Sequence, residues 1–222
     1  MYFVLFITIA LLSWAVSGLL NHRFKKYSQV YLPLTGKEVA ERMLRDNGIT
    51  DVVVTCTSGH LTDHYDPRNK TVNLSEGVYS SNSVAAAAVA AHECGHAIQH
   101  AYAYSPLAIR TALVPIVTFA SRWLTWILLG GILLLEIFPQ LLLAGVILSG
   151  FTTLLAFLTL PADTTASTRA VAWLEQAGIT DRETTPMASS ALRSAAYTYV
   201  VAALSSLGTL VYYVLLLVGR RD

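Results

Sequence analysis

Four stretches of the chain are almost free of charge. Residues 2–20, 111–135, 140–160 and 195–218 each approach or exceed the ~20 apolar residues that cross a bilayer as a helix, which predicts four transmembrane helices. The first has a small-residue site at Ala15-Val16-Ser17 like that of a cleaved signal, but no Lys or Arg precedes it, so it reads as an uncleaved anchor. Between the spans the pattern becomes mixed. Thr35-Gly36-Lys37-Glu38 is a capping box opening a helix that ends near Asn47-Gly48. Asp51 to Cys56 is β-branched, and Lys70 to Ser75 alternates like a half-buried strand, with a polar loop from His60 to Pro67 between them. Ser80 to Ser83 offers cap chemistry for an Ala-rich helix running to about Ala103. These elements predict a mainly α membrane protein with a small α+β portion, in which the Ala-rich helix packs on a short β-hairpin. With no repeat or linker, residues 1–222 form one membrane-integrated domain, with 21–110 and 161–194 outside the bilayer.

Composition agrees: 54% of residues are hydrophobic, 13% are charged and the mean hydropathy is +0.52. A net charge of +1 gives no reason to expect nucleic acid. Arg23, Lys25, Lys26, Arg110, Arg169 and Arg193 flank the spans on one side, against Arg220 and Arg221 on the other, so the larger extramembrane portions should be cytoplasmic. Two cysteines, Cys56 and Cys94, fit a reducing compartment but define no disulfide framework. Arg122 lies inside the second span, where a charge is costly, and a salt bridge within the bundle is the expected accommodation. Glu136, near the short turn at 136–139, is expected to be solvated.

The Ala-rich helix carries His92-Glu93-Cys94-Gly95-His96. Residues four apart share one face of a helix, so His92 and His96 can offer two imidazole nitrogens to one zinc ion, one per chain. Glu93 lies beside them as general base for a water in an open coordination position. Two ligands do not complete such a site. His100 continues the spacing but stands ~12 Å from His92 along the axis, too far for both to reach one ion. The metzincin extension is absent, because Gln99 stands where its glycine would be. Cys94 points away from the His92 and His96 face. A carboxylate from another segment is needed.

Gly59-His60-Leu61-Thr62-Asp63-His64-Tyr65-Asp66-Pro67, then Val72-Asn73-Leu74-Ser75-Glu76-Gly77-Val78-Tyr79, then Ala91 through Ala101 resemble the YugP-like family of membrane-bound neutral zinc metallopeptidases. The resemblance covers nearly the whole chain. It implies a gluzincin-like, zincin-type site in a multi-pass protein of a prokaryotic cell membrane, with a third-ligand Glu after a Leu-Pro pair and before an Ala-Ser pair. In Leu160-Pro161-Ala162-Asp163-Thr164-Thr165-Ala166-Ser167 that position is Asp163. Asp163 could instead cap a helix over 164–177, and Glu175 is the other candidate ligand. In related zincins the strand ahead of the motif helix pairs with extended substrate, which here nominates Val72, Asn73, Leu74 and Ser75. His64 or Tyr65 would donate to an oxyanion, although Asp-His-Tyr-Asp-Pro is also an ordinary turn sequence. The expected activity is endopeptidase cleavage of polypeptides, membrane proteins among them, with Glu93 as base. The alternatives are a zinc-binding scaffold or adaptor without turnover, and a small transporter. Oligomeric state is not legible in the sequence.

Overall fold

The computed structural model describes residues 2–219, the side chains of residues 2, 3 and 5 excepted; Arg220 and Arg221 lie outside the described residues. The protein is mainly helical. α1 (Tyr2–Tyr27) leads to α2 (Gly36–Asp46), which opens on the expected capping box: Thr35 Oγ1 accepts from the Glu38 N–H, and the Glu38 carboxylate accepts from the Thr35 N–H at 2.8 Å. Three short strands follow, β1 (Val53–Thr57), β2 (His64–Asp66) and β3 (Thr71–Ser75), then a single-turn helix α3 (Glu76–Tyr79) and the Ala-rich α4 (Val84–Ala101). Three long helices complete the chain: α5 (Ser105–Leu133), α6 (Pro139–Gln176) and α7 (Thr184–Val218).

The sheet differs from the expected hairpin. Its order is β1-β3-β2, with β1 parallel to β3 and β2 antiparallel to it, so the hairpin joins β2 to β3 and the central strand is β3. β2 lies within the segment expected to be a loop. At three residues it is too short to show alternation, and the turn chemistry around it dominates the sequence. That chemistry is real: the Asp66 carboxylate accepts from the backbone N–H groups of Arg68 and Asn69 and closes the turn into β3.

α4 is buried on nearly every side, with Ala85, Ala87, Ala88, Ala90 and Ala91 inaccessible to solvent. It packs against α2, α6 and α7. Ser83 caps it, accepting from the Ala86 N–H at 3.2 Å. Small side chains let neighbouring helices approach closely. Gly95 marks the tightest place: a Cβ there would sit 2.9 Å from the carbonyl oxygen of Ala166 on α6. Gly95→Ala should therefore push α4 and α6 apart at a cost of about 1–3 kcal/mol, read as a lowered Tm in detergent. An unchanged Tm would show that the crossing is not tight.

Among the described residues three helices, α5, α6 and α7, are long and apolar enough to cross a membrane, where four were expected. The first expected span, 2–20, lies in α1 and rests partly on side chains outside the described ones. α1 lies antiparallel along α7, its start against Tyr212 through Phe6 and its end against Ser190 through Tyr27, whose hydroxyl pairs with the Ser190 hydroxyl at 3.2 Å. The long helices turn apolar side chains outward, among them Ile116, Phe119, Trp123, Trp126, Leu154 and Val211, a surface suited to lipid. α6 is continuous through Pro161, as membrane helices tolerate, so the third span and the helix after it are one rod.

Candidate metal centre

Continuity of α6 decides the local role of Asp163. It is not an N-cap but an interior helical residue, 3% exposed, on the stripe Ala162, Asp163, Ala166, Ala170 and Leu174 that faces the core. The crossing at Gly95 and Ala166 sets this stripe against α4 and brings Asp163 to the His92–His96 face. The ligand atoms of His92, His96 and Asp163 all lie within 4.8 Å of one another, close to the ~3.4 Å spacing of tetrahedral donors ~2.1 Å from zinc. His96 Nε2 is 3.1 Å from Asp163 Oδ1, and the two imidazole rings stand nearly perpendicular with centroids 4.8 Å apart. Asp163 Oδ2 is buried without any hydrogen-bond partner among the described residues. An orphaned carboxylate oxygen is costly inside a protein, and a cation is what it lacks. Two imidazoles and a carboxylate are a donor set that suits zinc.

Each ligand is oriented from behind. His96 Nδ1 bonds Gln99 Oε1 at 3.0 Å, which requires the ring to donate there, and Gln99 Nε2 in turn donates to the Ala162 carbonyl at 2.8 Å and to Thr165 Oγ1 at 2.7 Å. His92 Nδ1 bonds Ser167 Oγ at 3.0 Å. Both Nε2 atoms are thereby turned toward the centre. Such outer partners typically carry ~10–100-fold of metal affinity. Gln99→Leu is expected to lose that much zinc affinity in competition with a chromophoric chelator, and an unaltered affinity would dismiss the buried amide as a support of His96. Gln99 and Ser167 are functional residues that sequence reasoning missed; the signal was faint, a lone buried-face amide one turn beyond the motif and the Ser of the Ala-Ser pair.

Electrostatics follow the packing. Burial pushes His92 down to about 3, with the neighbouring His96 adding to it. Burial also lowers His96, but the hydrogen bond and charge of Asp163 and the charge of Glu93 outweigh it and hold its titration above the ordinary value. Burial raises Glu93, partly offset by the charge of His96 and by the Tyr65 N–H, which donates to Glu93 Oε2 at 3.0 Å. That hydrogen bond fixes the carboxylate beside the metal ligands. Cys94 lies on the other side of α4, its thiol on the Ala40 carbonyl at 3.5 Å, and burial pushes its titration far up.

A cavity of about 190 Å³ opens over the centre, lined by His92, Glu93 and Asp163 together with Asp63, Ser167 and Tyr199. Other expected site residues lie elsewhere. His64 is exposed, with Nδ1 on the Thr62 carbonyl and Nε2 on Asn73. The Tyr65 hydroxyl is tied to His100 Nδ1 at 3.1 Å, and neither residue belongs to the metal group or lines the cavity. Glu175 sits on the exposed surface of α6, ~18 Å along the helix from Asp163. The nomination of Val72 to Ser75 as a free edge is corrected: β3 is central, Val72 and Leu74 are wholly buried, and the Ser75 N–H is taken by Asp63 at 2.7 Å. The outer edge belongs to β2. Tyr199, on the apolar α7, gave no sequence signal beyond its place near the end of the span.

A helix-borne His-Glu-x-x-His pair meeting a carboxylate from a second helix, beside three membrane-length helices, defines the class of a membrane zinc metallopeptidase. The comparisons agree: the family model described as "Putative neutral zinc metallopeptidase" matches residues 2–218, and the chain belongs to this family. It is 40% identical over 223 residues to the Bacillus subtilis (strain 168) protein named "Putative membrane protease YugP", with 98% of each chain covered. No solved structure matches the chain.

Proposed function

We propose that the protein is a multi-pass membrane zinc endopeptidase that cleaves polypeptides, membrane proteins among them, on the cytoplasmic side. The observation that carries this reading is the convergence of His92, His96 and the half-unpartnered Asp163 next to the oriented, buried Glu93. His92 Nε2, His96 Nε2 and an Asp163 oxygen would hold one ion per chain, in a zincin-like arrangement. When bound, zinc supplies Lewis-acid polarisation of the scissile carbonyl and acidifies water. Glu93 then takes the proton of the attacking water and delivers it to the leaving amine. Burial suits it to both roles, because a raised carboxylate gives and accepts protons nearer neutrality.

Substrate would lie along the outer edge of β2. Tyr65 pairs with Val72 in antiparallel register, and its N–H turns away from β3 toward Glu93. At such a position the C=O turns outward too, so the Tyr65 carbonyl can accept from an extended peptide beside the metal centre. Tyr199 faces the same cavity and is the candidate donor to the developing oxyanion, in place of His64 or the Tyr65 hydroxyl. The cytoplasmic assignment rests on Arg23, Lys25, Lys26 and Arg110 at the ends of the helices nearest the centre.

The test is metal removal from the full chain in detergent. Chelation should abolish casein cleavage, and added zinc should restore it. Undiminished cleavage by protein shown to be zinc-free would end the reading.

A further inference from the structure

A groove of about 590 Å³ runs between α5 and the β2–β3 turn. Three arginines line it, Arg68 from the turn and Arg110 and Arg122 from α5, over an apolar floor that includes Val114, Pro115 and Phe119. None of the three guanidinium groups has a hydrogen-bond or ion-pair partner among the described residues. The bundle salt bridge expected for Arg122 is not found among the described residues; its side chain is exposed and lines the groove. Asp66 is the one carboxylate lining the groove, and its oxygens are engaged by the Arg68 and Asn69 N–H groups and the Asn69 side chain. Three guanidinium groups against one ionised carboxylate leave the groove with a net positive charge, and the charge of Arg110 also reaches His92 and His96.

Position on the helix matters as much as charge. Arg122 is ~18 Å from Arg110 along the axis of α5, well inside a membrane-length segment, where an unpaired cation is costly and draws its side chain toward the interface or toward an anion. The floor residue Phe119 continues into the outward apolar face formed with Ile116 and Trp123, so an occupant can enter sideways from the bilayer. The ligand that fits cations above an apolar floor on a lipid-facing helix is an anionic amphiphile. Guanidinium groups grip phosphate oxygens in pairs, and basic pockets of this kind on the cytoplasmic side of membrane helices take acidic headgroups. An acidic peptide would satisfy the arginines but not the floor.

We propose that this groove binds one anionic phospholipid, its acidic headgroup among the guanidinium groups of Arg68, Arg110 and Arg122 and an acyl chain along Val114, Pro115 and Phe119. The proposal is independent of whether the metal centre cleaves peptides.

The experiment uses the full chain in neutral detergent and measures binding of short-chain phosphatidylglycerol, phosphatidylcholine, inorganic phosphate and hexaglutamate. Phosphatidylglycerol should bind at least about tenfold tighter than each of the others, and the R110Q/R122Q pair should lose about tenfold or more, as the removal of two basic contacts implies. Arg45→Gln on α2 should change nothing. Equal binding of phosphatidylcholine would mean an unselective apolar contact and overturn the proposal; equal binding of phosphate would reduce the groove to an anion site and overturn it too. Tighter, arginine-dependent binding of hexaglutamate would assign the groove to acidic polypeptides instead. Undiminished phosphatidylglycerol binding in the folded double variant would also refute it. Should that variant fail to fold, the wild-type selectivity decides alone.

Discussion

Asp163→Ala is expected to strip the protein of zinc. Asp163 brings the only carboxylate of the metal group, from a different helix than the two histidines, and without it the ion would be left with two imidazoles on one face of α4. Losing an outer partner typically costs ~10–100-fold in metal affinity, and losing a ligand should cost more than that, enough to leave the purified protein metal-free after dialysis against a weak chelator. Folding should survive. His96 loses its hydrogen bond to Oδ1, but the buried, unpartnered Oδ2 disappears as well, and truncation at a site lined by Ala162 and Ala166 opens little apolar volume. Retained zinc in Asp163→Ala, measured by elemental analysis, would send the third ligand elsewhere.

The same residue shows why the short side chain works. The resemblance led to expectation of Glu at this position, and Asp is one methylene shorter, so its backbone must come ~1.5 Å closer. The Gly95–Ala166 crossing supplies that approach, since no side chain separates α4 from the α6 backbone there. Gly95→Ala should accordingly weaken zinc binding along with the stability loss described above.

Local patterns carried much of this into view from the sequence. The capping box, the serine cap, the alanine run and the His-x-x-x-His spacing are all short-range features, and the elements they predict stand at Gly36–Asp46 and Val84–Ala101. What depended on distant contacts was less legible. The hairpin expected of β1 and β3 is instead a parallel pair, because the connection between them hides β2, three residues long and half-exposed. Asp163 also reads as a cap because Pro161 looks like a helix start, whereas a helix held among neighbours runs through it. Three membrane-length helices stand among the described residues where four were expected, the first expected span resting partly on side chains outside them. Gln99 and Tyr199 were invisible for the same reason: a residue's role behind or across a metal site is set by which helices cross, not by its own neighbours in the chain.

Glu93→Gln should separate binding from turnover. The amide keeps the size of the side chain and can still accept from the Tyr65 N–H, so the backbone of β2 and the metal ligands should stay in place. It cannot take a proton from water, and losing a general base typically costs ~10²–10⁴-fold in rate. The decisive measurement is cleavage of unfolded casein by the zinc-loaded full chain in detergent, wild type against Glu93→Gln, with the zinc content of each determined on the same sample. The metallopeptidase account predicts equal zinc and a loss of at least about 100-fold in cleavage; cleavage at the wild-type rate by a zinc-loaded Glu93→Gln protein would contradict it.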